Sequence, residues 1–406
     1  MTAGIDLAAI EEAAALLDGV TTLTPVEESA SLSAVAGVRV LLKCENLQRT
    51  GSFKLRGAAV RLSRLTAAEK ARGVVAASAG NHAQGVALAA RELGISAVVY
   101  MPENAALPKL AATRGYGAEV RQEGADLSGA LAAAQREAAR SGRVFIPPFD
   151  HRDVVLGQAT IGLEILDQVP DARTLLVPTG GGGLLAGVTA AMHARGADVR
   201  VVGVQAEGAA AFPASLAEGR PVALGRMSTI ADGIAVPAPS ELTLGIAREY
   251  GAEVRTVSEE ALARAVLLLS ERAKLVVEPS GAAGVAALLS GPTDLPGPVV
   301  AILSGGNVDT LVLYRILRHG LVAAGRYLQM EVRVSDRPGS LARLLGVLAA
   351  TGSNVVSINH DRTGADLGVA EVQIRVELET KGVDHCHEVV ETLRAEGYGV
   401  VFRSVA

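Results

Sequence analysis

The sequence predicts an α/β protein of open, mostly parallel sheets, followed by a smaller βαββαβ unit. Three observations carry this. Short runs rich in Val, Ile and Leu alternate with stretches of helical period, the pattern of parallel strands joined by crossover helices. Several of those runs lead straight into glycine clusters that open a helix, the place where open α/β sheets bind ligands. Near Gly325 the style changes to alternating, half-buried strands.

Taken in order, Asp6–Leu17 reads as a first helix. Val38–Lys43 reads as a strand and Gly57–Leu65 as a helix. Val74–Ala77, Ala97–Met101, Thr174–Val177, Val199–Gln205 and Val299–Leu303 read as strands, with a helix over His82–Leu93. Beyond Gly325, Tyr327–Val334 alternates as a strand and ends in Ser335-Asp336-Arg337-Pro338-Gly339. A helix over Ser340–Ala350, strands at Asn354–His360 and Val369–Leu378, a helix over Asp384–Glu396 and a strand at Gly399–Phe402 complete a ferredoxin-like order. Residues 326–406 are therefore expected to form a separate domain after a short linker.

Bulk properties narrow the function classes. A chain of 406 residues is too long for one ordinary core. Its net charge of −5 argues against a partner with a phosphate backbone, so no nucleic acid is expected. The two cysteines, Cys44 and Cys386, fit a reducing cytoplasm better than a disulfide scaffold. The acidic, amphipathic start is unlike a signal peptide. No run approaches the roughly 20 apolar residues of a membrane span, so no membrane is expected either.

Four segments carry chemistry. In Ser52-Phe53-Lys54-Leu55-Arg56-Gly57-Ala58, apolar neighbours flank Lys54. A desolvated lysine loses its preference for the charged form and becomes a usable nucleophile. Taken alone, the segment reads better as a surface lysine near a helix start, and only the rest of the chain reverses that. Ser78-Ala79-Gly80-Asn81-His82 follows a strand and opens a helix, whose unpaired N–H groups suit an anion such as a carboxylate. An ordinary capped turn has the same look. Thr179-Gly180-Gly181-Gly182-Gly183-Leu184 lets backbone N–H groups nest around an anion. It is neither a dinucleotide fingerprint nor a Walker loop, so a single phosphate is favoured over a nucleotide. Ser304-Gly305-Gly306-Asn307 puts a hydroxyl at a strand's C-terminal end, where it can reach a ring nitrogen.

These segments, in this order, resemble the fold-type II pyridoxal-phosphate (PLP) enzymes, specifically the threonine ammonia-lyases, over about residues 20–320. Gly157-Gln158-Ala159-Thr160, Ala231-Asp232-Gly233 and Glu278-Pro279-Ser280-Gly281 add to the likeness. The resemblance implies two catalytic lobes, a large one of residues 1–45 and 148–322 and a small one of residues 46–147. It implies that Lys54, beside Phe53, holds PLP as a Schiff base and later serves as general base. It gives Asn81 to the PLP hydroxyl, Gly180, Gly181, Gly182, Gly183 and Leu184 to the phosphate, and Ser304 to the pyridine nitrogen. The substrate carboxylate falls to Ser78, Ala79, Gly80, Asn81 and His82. A serine at the pyridine nitrogen leaves it neutral, which favours loss of a β-leaving group. The implied reaction takes L-threonine to 2-oxobutyrate and ammonia, with L-serine as a second substrate and isoleucine biosynthesis as one setting.

Residues 326–406 resemble an ACT domain, through Asp336-Arg337-Pro338-Gly339-Ser340-Leu341 and the element order. This implies allosteric control, with isoleucine or valine as effector at the loop Asp336–Leu341 and the turn Gly352–Asn354, and a homodimer or homotetramer. A pairing module without ligand is the other reading. A serine dehydratase or serine racemase, or a non-catalytic amino-acid sensor, are the alternatives for the whole chain. Racemases of this type carry a second serine where Ala79 stands. Their divalent-cation site is matched by Ala206-Glu207, but Pro213 occupies the position of a carboxylate, leaving at most a monovalent-cation site near Glu207. His385-Cys386-His387 lie side by side on a helix and point apart, so no metal is expected there. Cys44 reads as a small buried hydrophobe, Arg56 and Arg61 as solvated or structural, and Asp232 as a turn or site residue.

Overall fold

The structure is a computed structural model that describes residues 5–289, 294–362 and 367–402. The N-terminal residues 1–4 and C-terminal residues 403–406 of the expected domains lie outside that range. The chain divides into two compact units, Met1–Leu313 and Tyr314–Ala406.

The first unit holds two sheets. The strands, in chain order, are β1 (Val26–Glu28), β2 (Val40–Lys43), β3 (Val74–Ala77), β4 (Ala97–Met101), β5 (Glu119–Gln122), β6 (Val144–Phe145), β7 (Thr174–Pro178), β8 (Arg200–Ala206), β9 (Glu253–Val257) and β10 (Val299–Ile302). The larger sheet has the order β1-β2-β10-β7-β8-β9 and the smaller the order β5-β4-β3-β6. Every pairing is parallel except β1 with β2. The chain starts the larger sheet, leaves to build the whole smaller one, and returns. Strands β2, β3, β4 and β7 are buried along their whole length, which is why they read as continuous apolar runs. β5 and β9 are edge strands of polar, partly exposed residues, and no apolar run announces them.

The helix Lys54–Ser63 begins three residues earlier than its apolar period predicts, so Lys54 is its first residue. It packs on the helices Asn81–Glu92 and Arg152–Gln168. A Cβ on Gly157 would stand 2.6 Å from the Arg56 carbonyl oxygen, and one on Gly85 would stand 3.0 Å from the Leu55 nitrogen. Backbones therefore touch where a side chain would hold them apart. Beneath this contact lies a buried ionic cluster. Arg56 is not solvated: its guanidinium pairs with Glu45 at 2.8 Å and Glu164 at 2.6 Å, and Lys43 pairs with Glu164 at 2.6 Å. Arg61 lies 3.5 Å from Asp153.

The second unit has one antiparallel sheet of order β12-β13-β11-β14, with β11 (Tyr327–Ser335), β12 (Asn354–Asp361), β13 (Glu371–Glu379) and β14 (Gly399–Phe402). Alternate residues Leu328, Met330, Val332 and Val334 face Leu344, Leu348, Val389 and Leu393 of its helices Ser340–Ala350 and Val383–Ala395, giving the unit its own core. The βαββαβ order is the one the sequence predicts.

Candidate active site

The site forms where the chain passes between the two sheets of the first unit. At the end of β10, Ser304 accepts a hydrogen bond from the Phe53 N–H at 3.1 Å, and Ser52 bridges Gly305. This seats Lys54, the next residue, beside the strand end that carries Ser304. A cavity of about 300 Å³ opens there. Its walls include Phe53 and Lys54, all of Ser78–His82, all of Gly180–Leu184, and Ser304. Segments spread across the sequence are thus brought to one pocket.

Lys54 Nζ donates to the Pro148 carbonyl at 3.0 Å and sits 5.1 Å from the centre of the Phe53 ring. The side chain keeps some solvent contact through the cavity, but its amine is enclosed by protein. That desolvation draws its pKa from 10.5 down to about 8, against the opposing pull of the Glu278 charge.

The four-glycine turn leaves β7 after Pro178 and enters the helix Gly183–Ala194. Gly182 has φ +90°, a left-handed conformation that glycine adopts without strain. The carbonyl of Gly181 accepts from Thr243 Oγ1 at 2.7 Å and that of Gly182 from the Ala186 N–H at 2.8 Å. With those acceptors engaged on the protein side, the N–H groups of the helix's first turn remain to face an anion.

On the opposite wall, Asn81 is the first residue of its helix, and Ser78 Oγ accepts from the Gly80 N–H at 3.1 Å. His82 is buried, and its Nε2 lies 2.9 Å from the Ile146 carbonyl. A carbonyl only accepts, so Nε2 carries the hydrogen. Burial, then the Lys54 charge, pull the His82 pKa down to about 3, so the ring is neutral at working pH.

Four lining residues were given no role by the sequence reading. Glu278 is buried and donates its backbone N–H to the Gly305 carbonyl. Burial first, then the charge of Asp232, push its carboxyl up to about 7. Ser280 is 2% exposed, lines the cavity, and its hydroxyl has no partner. Asn307 bonds Asn81, and Lys109 pairs with Asp232 at 2.9 Å at the rim. The segment Glu278–Gly281 was visible as a likeness, but nothing in its residue types alone said that Glu278 faces a lysine. Asp232 is a cavity residue as well as a turn residue.

The residues fit a phosphate-bearing pyridine aldehyde. There is a glycine turn for one phosphate, an amine of lowered pKa for the aldehyde, a hydroxyl at a strand end for a ring nitrogen, and a buried hydroxyl at Ser280 on the cavity wall without a protein partner.

Elsewhere, Cys44 is buried, which pushes its thiol up to about 12. His385 accepts from the Lys381 N–H at 3.0 Å through Nδ1 and lies 2.9 Å from the Thr351 carbonyl through Nε2, while Cys386 Sγ contacts the Gly325 carbonyl. Among the described residues, no group of three or more His, Cys, Asp or Glu side chains could hold a metal ion. In the second unit a cavity of about 220 Å³ is lined by Val334–Leu341, His360, Arg362 and Val372. The turn Gly352–Asn354, expected to share in an effector site, does not line it. The second wall comes instead from His360 and Arg362 at the end of β12 and Val372 of β13, with Arg362 reaching Asp336 at 3.1 Å.

Comparison with known proteins gives the family. Residues 17–305 match the family described as "Pyridoxal-phosphate dependent enzyme", and residues 329–385 match the ACT domain. An L-threonine ammonia-lyase of Thermotoga maritima is 46% identical over 397 residues, covering 98% of this chain and 99% of that protein. Among solved structures, maize serine racemase superposes with a TM-score of 0.72 at 35% identity, over 76% of this chain and 96% of its own. The processed threonine deaminase isoform 2 of Solanum lycopersicum gives a TM-score of 0.72 at 34% identity, over 79% and 95%. This chain belongs to the pyridoxal-phosphate dependent enzyme family, in the form that carries a C-terminal ACT domain.

Proposed function

We propose that the protein is a threonine ammonia-lyase, converting L-threonine to 2-oxobutyrate and ammonia and accepting L-serine as a second substrate. The observation that carries this reading is the meeting of Lys54, the Gly180–Gly183 turn and Ser304 around one cavity. The name of the Thermotoga maritima relative supports the same activity.

Bound PLP supplies an electron sink next to the substrate's amino group. The remaining steps belong to the chain. The helix N-terminus at Asn81, with Ser78, holds the substrate carboxylate. Lys54, whose enclosed amine is drawn toward the neutral form by burial, would take the Cα proton. Loss of the β-hydroxyl as water follows, and hydrolysis of the resulting enamine returns that water and releases ammonia. His82, neutral and tied to Ile146, orients and does not titrate. Ser304 offers a neutral hydroxyl to the ring nitrogen, so charge does not accumulate in the ring.

Ala79 lines the same cavity without a hydroxyl, which favours a lyase over a racemase. We assign residues 1–45 and 148–322 to a large lobe, 46–147 to a small lobe and 326–406 to the ACT domain. That domain is read as the seat of allosteric control by isoleucine or valine at the loop Asp336–Leu341, in a cytoplasmic homodimer or homotetramer. No helix among the described residues is long and apolar enough to cross a membrane. The test is a keto-acid assay of PLP-loaded protein with threonine and with serine, repeated with isoleucine and valine present. Threonine is expected to give 2-oxobutyrate, and its absence would end the proposal.

A further inference from the structure

A side-chain amide can present either its N–H face or its carbonyl face to a cavity, and the choice rests on its other partners. Asn81 has two such partners, Asn307 and Glu278, and Asn307 is tied in turn to the Thr50 carbonyl. Asn307 Nδ2 donates to the Thr50 carbonyl at 2.7 Å and to Asn81 Oδ1 at 2.8 Å. Asn81 Nδ2 donates to Glu278 Oε1 at 2.6 Å. The direction of the chain is forced. The Thr50 carbonyl only accepts, so the nitrogen of Asn307 must face it. The second hydrogen on that same nitrogen then demands an acceptor, so Asn81 must turn its oxygen toward Asn307. Its nitrogen is left for Glu278, whose Oε1 accepts in the carboxylate, and in the neutral carboxyl when the proton sits on Oε2. One Asn81 N–H remains without a partner among the described residues. The carboxyl has its place because Gly305 lacks a side chain: a Cβ there would meet Glu278 Oε1 at 2.5 Å. The partners come from sequence positions 197 and 226 residues distant from Asn81, so they report on the folded cavity and not on a local turn.

We propose that Asn307 and Glu278 are positioning residues that lock the Asn81 amide in one flip, so that it offers a hydrogen-bond donor, never an acceptor, to the ligand in the cavity. A donor there suits an anionic oxygen on an aromatic ring. It would stabilise the ionised ring hydroxyl of PLP and with it the visible-absorbing form of the lysine-bound cofactor. The inference rests on the reading that the PLP hydroxyl lies at Asn81.

The test compares the holoenzymes of Asn307→Asp, Glu278→Gln, Glu278→Ala and Asn81→Ala by absorption spectrum against pH and by PLP affinity after dialysis. N307D is isosteric but has no amide hydrogen to donate, so it unlocks Asn81. Its PLP affinity is expected to fall about tenfold, the loss of one buried hydrogen bond, and its visible band to give way to the near-ultraviolet band at a pH where the wild type is yellow. E278Q keeps an acceptor oxygen and is expected to stay within about twofold of the wild type, whereas E278A is expected to resemble N307D. A merely structural role would move thermal stability without moving the ratio of the two bands. The proposal is overturned if N81A disturbs the spectrum and N307D and E278A leave it unchanged. If N81A itself binds PLP with the wild-type spectrum, the placement of the ring hydroxyl at Asn81 is what fails.

Discussion

Replacing Arg56 with Met removes the centre of the buried cluster while keeping its aliphatic bulk. The guanidinium makes a two-pronged contact with Glu45, Nε and Nη2 each donating at 2.8 Å. It makes a second with Glu164 at 2.6 and 3.0 Å, and a further bond to Thr160 Oγ1 at 3.2 Å. The Arg56 side chain is 1% exposed and that of Glu45 fully buried. After the substitution Glu164 still has Lys43, but Glu45 keeps only the Thr24 hydroxyl and the more distant Lys43 charge. Removing one member of such a pair costs about 3–5 kcal/mol, because the other charge is left buried. At the low end of the handful of degrees that each kcal/mol moves a large domain, that is a fall in melting temperature of roughly 10 °C, read by circular dichroism. The pH dependence identifies the cause. Burial alone would raise the Glu45 carboxyl; Arg56 reverses this and holds it below its ordinary value. In the wild type the stabilisation from Glu45 is therefore complete above the ordinary glutamate pKa, and is lost only as pH falls through the depressed folded value. In R56M burial is opposed only by the Thr24 hydroxyl and the Lys43 charge, so the folded pKa rises and the penalty fades as Glu45 takes a proton. The gap between the two proteins should narrow between pH 7 and pH 5. A fall under about 3 °C, or a gap that is the same at both pH values, would refute the account.

Three other outcomes are expected. Gly181→Ala drives a methyl into the Phe149 ring that backs the glycine turn, so affinity for PLP, measured by fluorescence titration, should fall at least tenfold; an unchanged affinity would show that the turn does not hold the phosphate. Gly157→Ala places its methyl 2.6 Å from the Arg56 carbonyl, and thermal unfolding should show a loss of about 1–3 kcal/mol, as overpacking usually gives; stability equal to the wild type would mean the two helices separate freely. Lys54 has a folded pKa of about 8, below its unfolded value, so between pH 8 and pH 10 the unfolded chain binds more protons and the PLP-free protein should gain stability as pH rises. Lys54→Met should flatten that slope, and an equal slope in the variant would place the titrating group elsewhere.

Buried parallel strands declare themselves in sequence because both faces are covered. β3 and β4 begin and end where their apolar runs do. The edge strands β5 and β9 carry Glu, Arg and Gln on partly exposed faces, and the helix Arg152–Gln168 mixes Gly, Gln and Thr into a buried surface, so neither shows a clear period. The start of the Lys54 helix is hidden for a related reason: its first turn, Lys-Leu-Arg-Gly, looks polar, yet Leu55 and Arg56 are buried, the arginine by ion pairs that no local pattern announces. At the site, the segments that meet a ligand through backbone and small residues were legible, because glycines and a strand-end serine have few other uses in that order. Glu278, Asn307 and Lys109 were not, since their roles depend on partners far away in the chain.

That division between local cue and distant partner follows from the topology. The larger sheet is interrupted after β2, and the chain builds the smaller sheet before resuming at β7. Lys54 and Asn81 belong to the excursion, whereas the glycine turn, Glu278 and Ser304 belong to the return. The bonds from Phe53 to Ser304, from Ser52 to Gly305 and from Asn81 to Glu278 stitch the two passages together across the cavity. A cofactor held by a lysine from one passage and by a phosphate turn from the other would tie the same two passages again. A ligand that binds only the folded chain stabilises it by mass action, and one that bridges both passages stabilises each by way of the other. Ala77 at the end of β3, Lys54 and Asn81 line the same cavity as the glycine turn, so amides of the smaller sheet should gain protection from hydrogen exchange on adding PLP. Protection that spread no further than the Gly180–Gly183 helix would mean that the two passages meet at the cavity without being coupled by what it holds.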